Sequence, residues 1–141
     1  VTLNIHSSTG DFVGATGQPP WVAAATRGRE IQTQPLSVLR KRGVLIQTLR
    51  HEFTHAVIEI LSRSRVPRWL VEGLAIHFAG EARMLIDSSP PLKISRDELE
   101  QRLSNPASDR EMRALYASAY REVQTIIRNS GEAQAWHLAI K

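Results

Sequence analysis

The stretch His51-Glu-Phe-Thr-His55 constrains this chain of 141 residues more than any other. Residues four apart on an α-helix lie one above the other, so a helix here stacks two imidazoles on one face. Glu52 is then aimed at whatever the two rings hold. Two neutral imidazoles with an adjacent carboxylate form the donor set that binds zinc and takes a proton from water held on it. From Val44 to Ser62 the apolar residues Leu45, Ile46, Leu49, Phe53, Ala56, Val57 and Ile60 fall on one arc at a 3.6-residue period. Thr48, His51, Glu52, His55 and Glu59 share the other arc. An amphipathic helix with two histidines on its solvated face satisfies the same pattern. A third ligand separates the two readings.

That ligand is available. Val66-Pro67 interrupts the helix, and Pro67 suits the first turn of a new one over Arg68 to Ala79. One acid, Glu72, stands in this largely apolar segment, where a carboxylate is costly unless paired or bound to metal. Pairing with Arg68 is the plain alternative. His51, His55 and Glu72 together leave the fourth tetrahedral position to water, the open coordination of a catalytic zinc, one per chain.

HEFTH followed by Pro67-Arg-Trp-Leu-Val-Glu72-Gly-Leu-Ala75 resembles the gluzincin zinc metallopeptidases, in particular the peptidase MA-like domains with their downstream Glu-Gly-x-Ala motif. The likeness covers about the central third of the chain. It implies an α+β, zincin-like fold: a small, mostly antiparallel N-terminal sheet packed on the active-site helix, then a helical C-terminal part. Tyr116-Ala-Ser-Ala-Tyr120 is similar to the family's Tyr-x-x-Ala-Tyr segment. By resemblance Tyr116, with Tyr120 as alternate, is the hydrogen-bond donor to the oxyanion of the reaction. A core tyrosine with its hydroxyl at the surface fits either position as well.

The same family pairs an extended substrate with an antiparallel edge strand above the metal helix. Ile31, Gln32 and Thr33 are the residues expected there, by strand addition with little side-chain preference. An exposed edge protected by Arg29, Glu30 and Pro35 reads equally well from the sequence.

The chain is expected to be one domain, strand- and loop-rich over 1–43 and helical over 44–141. Val1 to His6 alternates as a half-buried strand, and 7–20 reads as loop with a short helical piece around Asp11 to Ala15. Trp21 to Ala25 and Arg29 to Gln34 flank Thr26-Arg27-Gly28 as a hairpin. Leu36 to Arg42 is a helical lead-in, with Gly43 as punctuation. Ser88-Ser-Pro-Pro91 is a loop. Capping boxes at Ser95 to Glu98 and Ser108 to Glu111 open a short helix to Leu103 and a long one through Ile127, and Gly131 separates the latter from a helix over Ala133 to Ile140.

With no cysteine, disulfides and thiolate metal sites are excluded, and any zinc must use nitrogen and oxygen ligands. A net charge of +4, with basic clusters at Arg40 to Arg42 and at Arg63, Arg65 and Arg68, lacks the interleaved aromatics of a nucleic-acid groove. No apolar run is long enough for a membrane span.

The reading is a zinc metallopeptidase: Glu52 as general base, a peptide or protein as substrate, nucleic acid excluded as a partner. Glu59 is the expected partner of a metal-bound histidine; His77 reads as a surface or pairing histidine, and His6 and His137 lack motif context. The alternative is a zincin-like domain that binds or regulates without catalysis, within a larger cell-envelope protein. The chain's size suits either a catalytic core with additional domains elsewhere or a minimal domain governed by occlusion of its cleft.

Overall fold

The alternating N-terminal segment forms strand β1 (Thr2–Ile5) in a computed structural model that describes residues 1–141. Helix α1 (Thr9–Thr16) follows, opened by the Ser8 hydroxyl, which accepts from the Asp11 amide. Strands β2 (Ala24–Arg27) and β3 (Glu30–Thr33) form a hairpin that turns at Gly28-Arg29, one residue later than expected. Gly28 takes a φ of 62°, a conformation that a side chain would strain. Trp21 to Ala23 lie before β2, and Gln34 clasps this segment by donating to the Pro20 and Val22 carbonyls.

The sheet order is β1-β3-β2, with β1 parallel and β2 antiparallel to β3. The expected mostly antiparallel sheet is therefore a mixed one. Residues 6–23, including α1, carry the chain across β3, so β1 and β2 end on opposite sides of it. Alternation tells which face a strand buries, not which neighbour it pairs with. A second correction follows from the same topology. Ile31, Gln32 and Thr33 lie in the central strand, paired on both sides, and the open edges belong to β1 and β2.

The helical part comprises α2 (Leu36–Lys41), α3 (Leu45–Leu61), α4 (Arg68–Ala79), α5 (Ala82–Ser88), α6 (Arg96–Leu103), α7 (Asp109–Ser130) and α8 (Glu132–Ile140). Both serine caps form as the sequence indicates: Ser95 accepts from the Glu98 amide and Ser108 from the Glu111 amide. Helix α5 is an addition to the expected elements. It buries no residue fully and ends where the proline loop begins. No helix is long and apolar enough to cross a membrane.

Helix α3 is turned against its own amphipathicity. Thr48, His51, Glu52 and Thr54 are buried together with Ala56 and Ile58, while Ile46, Phe53 and Ile60 of the apolar arc are exposed, as is Glu59 of the polar one. The polar arc faces inward because β2 covers it from one side and α4 from the other. A solvated histidine face is thereby excluded.

Helix α4 packs between α3 and α7, with Leu70, Leu74, Leu115, Ala119 and Val123 in one apolar cluster. The close approach of α4 to α7 depends on Gly73. A Cβ there would lie 2.3 Å from Val123 Cγ2 and 2.6 Å from the Ala119 carbonyl oxygen. At the start of α4 the Glu100 carboxylate accepts from the Arg68 and Trp69 amides, satisfying two donors that Pro67 cannot cap. Arg68 itself pairs with Glu100, 3.4 Å away, and so is not the partner of Glu72.

Candidate metal centre

Four side chains converge where α3, α4 and the segment after α4 meet. His51 Nε2 lies 3.0 Å from Glu72 Oε2, His55 Nε2 lies 3.3 Å from Glu72 Oε1, and the two Nε2 atoms are 3.2 Å apart. All the donor atoms of this triad fall within 4.8 Å of one another, a group that could hold a metal ion. An ion with four tetrahedral bonds of about 2.0–2.1 Å sets its donors about 3.3–3.4 Å apart. The triad is already at that spacing to within a few tenths of an ångström, and the fit is good.

The fourth side chain is Glu81. It sits just beyond Gly80, whose left-handed φ of 74° closes α4. Its Oε1 lies 2.7 Å from His51 Nδ1, which fixes the tautomer that leaves Nε2 free for the triad. Glu59, the acid expected in such a role, is exposed and hydrogen-bonds to neither histidine. Glu81 lies thirty residues from His51, and only the close of α4 at Gly80 brings it back. A helix-ending glycine followed by an acid is its one trace in the sequence.

The electrostatics of the triad follow from its burial. Burial pushes Glu72 upward, but the charge of His55 and hydrogen bonds from both imidazoles outweigh it and hold the carboxyl well below the usual carboxylate range. Burial pushes His51 down, and hydrogen bonds with Glu72 and Glu81 overcome this and raise it well above its ordinary 6.5. For His55 burial likewise opposes, and the charge of Glu72 wins. A buried carboxylate here demands adjacent positive charge. In the metal-free protein imidazolium protons supply it; a divalent cation can take their place.

Glu52 is buried beside the triad, and the Thr26 hydroxyl of β2 donates to its Oε2 at 2.6 Å. Tyr116 comes from the opposite wall, its ring 5.9 Å from that of His51 at an interplanar angle of 22°. Burial first, then the charges of Glu72, Glu52 and Glu81, raise the Tyr116 hydroxyl well above its ordinary 10.0, so it stays protonated and a donor. Tyr120 does not line the cleft. His77 pairs with Gln124 and Glu132, and His6 with Gln32, so neither joins the triad.

A cleft of about 470 Å³ opens on the His51 and Glu52 side, between the Trp21–Ala24 segment and α5 with the start of α7. Trp21, Val22, Met84, Leu85 and Met112 give it apolar walls. A second hollow of about 290 Å³ opens on the His55 side, bordered by Thr26 and Gly28. The two lie along the free edge of β2. Because the Gln34 amide donates to the Ala23 carbonyl, the backbone groups of Ala24 and Thr26 are the ones left facing outward. Ile31, Gln32 and Thr33 line neither hollow.

Comparison with protein-family models, with curated proteins and with solved structures found no match. What can be said of function rests on the site itself.

Proposed function

We propose that this chain is a zinc-dependent peptidase of gluzincin type. The observation that carries the reading is a buried His51–His55–Glu72 triad with a carboxylate, Glu52, held beside it at the floor of a cleft. His51, His55 and Glu72 would hold the ion. Nitrogen and oxygen donors without sulfur suit zinc among the borderline metals. When bound, zinc supplies Lewis-acid polarisation of a peptide carbonyl and lowers the pKa of water.

The remaining work falls to the chain's own residues. The outward backbone groups of Ala24 and Thr26 bind an extended peptide along the β2 edge, in place of the β3 residues. Glu52 takes the proton of the attacking water and returns it to the leaving amine, and the Thr26 hydroxyl fixes the carboxylate's orientation. The Tyr116 hydroxyl donates to the oxygen that becomes negative as the carbonyl is attacked. Apolar walls around Trp21, Met84 and Met112 favour a peptide with an apolar side chain near the scissile bond.

Two measurements test this. Wild type should bind about one zinc per chain and Glu72→Ala none. Wild type should cleave an unfolded general substrate such as casein, and Glu52→Gln should keep its metal while losing about a hundredfold or more in rate. Metal binding without cleavage in wild type would point to a binding domain; no metal after reconstitution would overturn the proposal.

A further inference from the structure

The site leaves the outer flank of α3 unexplained. Ile46, Phe53 and Ile60 are 54%, 52% and 40% exposed and recur every seven residues, with the half-buried Leu49 and Val57 between them. A stripe of that period is the seam one helix offers to another. It lies beside a second apolar surface. The Thr26 side chain reaches Glu52 on α3, so Thr26 and its register partners Ile31 and Leu3 share the sheet face turned toward that helix. Ala24, Thr33 and Ile5 make the next row of the same face. Ile31 and Thr33 are buried, but Leu3 and Ile5 are 43% and 46% exposed, because α3 packs under β2 and β3 and β1 projects past it. The underside of β1 and the flank of α3 therefore meet as an apolar inside corner.

The corner has a definite width. Neighbouring strands are about 4.8 Å apart, so β1 lies about 5 Å beyond β3 and about 10 Å beyond β2, the two strands that cover α3. Packed helices also lie about 8–10 Å apart. One further helix fits beside α3 with β1 as its roof. Its charge requirement is equally definite. Arg50 is the one charged residue on the exposed arc, since Glu52 is buried in the site and Glu59 lies on the opposite arc. Lys41 and Arg63 stand exposed just beyond the two ends of α3, and none of these three cations has an ion-pair partner in the chain.

We propose that this corner is the docking groove for an amphipathic helix of a partner protein, apolar along one face and acidic along its flanks. A flat lipid surface cannot reach into an inside corner, whereas a cylinder fills it.

The test uses the whole chain and a fluorescent helical peptide of about five turns, with leucine at the seam positions and glutamate on the flanks. A version with lysine flanks serves as the control. Anisotropy should show saturable binding of the glutamate peptide, about tenfold weaker with Phe53→Glu, an exposed change that leaves the fold intact. Arg50→Glu should lose the glutamate peptide and gain the lysine one. Equal binding of both peptides, or no saturable binding, overturns the proposal. So does self-association of the chain that Phe53→Glu abolishes, which makes a second copy the occupant. Adsorption of the chain to phosphatidylglycerol vesicles that Phe53→Glu abolishes, without saturable binding of either peptide, also overturns it and marks a lipid-binding face. None of these readouts depends on the metal.

Discussion

The glycine after Glu72 is where packing and the candidate metal centre meet, and Gly73→Ala tests that link. A Cβ at position 73 would stand 2.3 Å from Val123 Cγ2, 3.0 Å from Val123 Cβ and 2.6 Å from the Ala119 carbonyl oxygen. Ordinary contact needs about 3.5–4.0 Å, so α4 must withdraw from α7 by about an ångström. Overpacking of this kind costs about 1–3 kcal/mol, and more where the obstacle is backbone. Alanine recovers about 1 kcal/mol of helix propensity. The net expectation is a loss of up to about 2 kcal/mol, and more to the extent that the Ala119 carbonyl cannot give way, read as a lower urea midpoint with unchanged slope. Withdrawal also moves Glu72, on α4, relative to His51 and His55 on α3. Metal distances tolerate about 0.2 Å, so zinc affinity should fall together with stability. Adding Val123→Ala should restore part of the stability and leave the carbonyl contact unrelieved. If Gly73→Ala unfolded at higher urea than wild type, propensity alone would be deciding, and the close approach of α4 and α7 would be refuted.

Other expectations follow from the centre. Glu81→Ala frees the His51 tautomer and should weaken zinc binding about 10–100-fold with the fold intact; unchanged affinity on titration with a competing chelator would remove Glu81 from the site. Thr26→Val should lower kcat about tenfold or more with KM nearly unchanged, because it loosens Glu52 and leaves the β2 edge in place; a KM effect alone would assign Thr26 to substrate binding. In chelator, His51 and His55 are raised above 6.5 and so contribute stability that is full below 6.5 and lost as pH climbs through their raised values. Glu72 is lowered from 4.5, and its contribution is present above 4.5 and lost on acidification. The metal-free Tm should therefore be highest between these limits and fall toward alkaline pH, and zinc should abolish the alkaline fall. A chelated protein whose Tm rises from about pH 6 to about pH 8 would contradict the sign.

The centre was largely legible because its residues are close in sequence or locally constrained. His51, Glu52 and His55 are set by one helical turn, and Glu72 stands out as the single acid of an apolar helix. The caps at Ser95 and Ser108 were equally readable, since a cap is a contact across three residues. What the chain did not reveal involves partners brought together only by packing. Glu81 and Thr26 reach the site across 30 and 26 positions; a helix-ending glycine before the acid is the one local trace of Glu81, and no local pattern marks Thr26. Periodicity divided α3 into two arcs but could not say which one faces inward, because burial depends on what the sheet and α4 lay over it. Strand order was hidden for the same reason: Ile31 to Thr33 alternate identically at an edge or in the middle, and only where β1 docks decides that they are central. Sequence by itself determined the donor set and the helices that carry it. The tertiary fold decided what orients those donors, which edge borders the cleft and which apolar flank stays uncovered, since each is a pairing of distant surfaces.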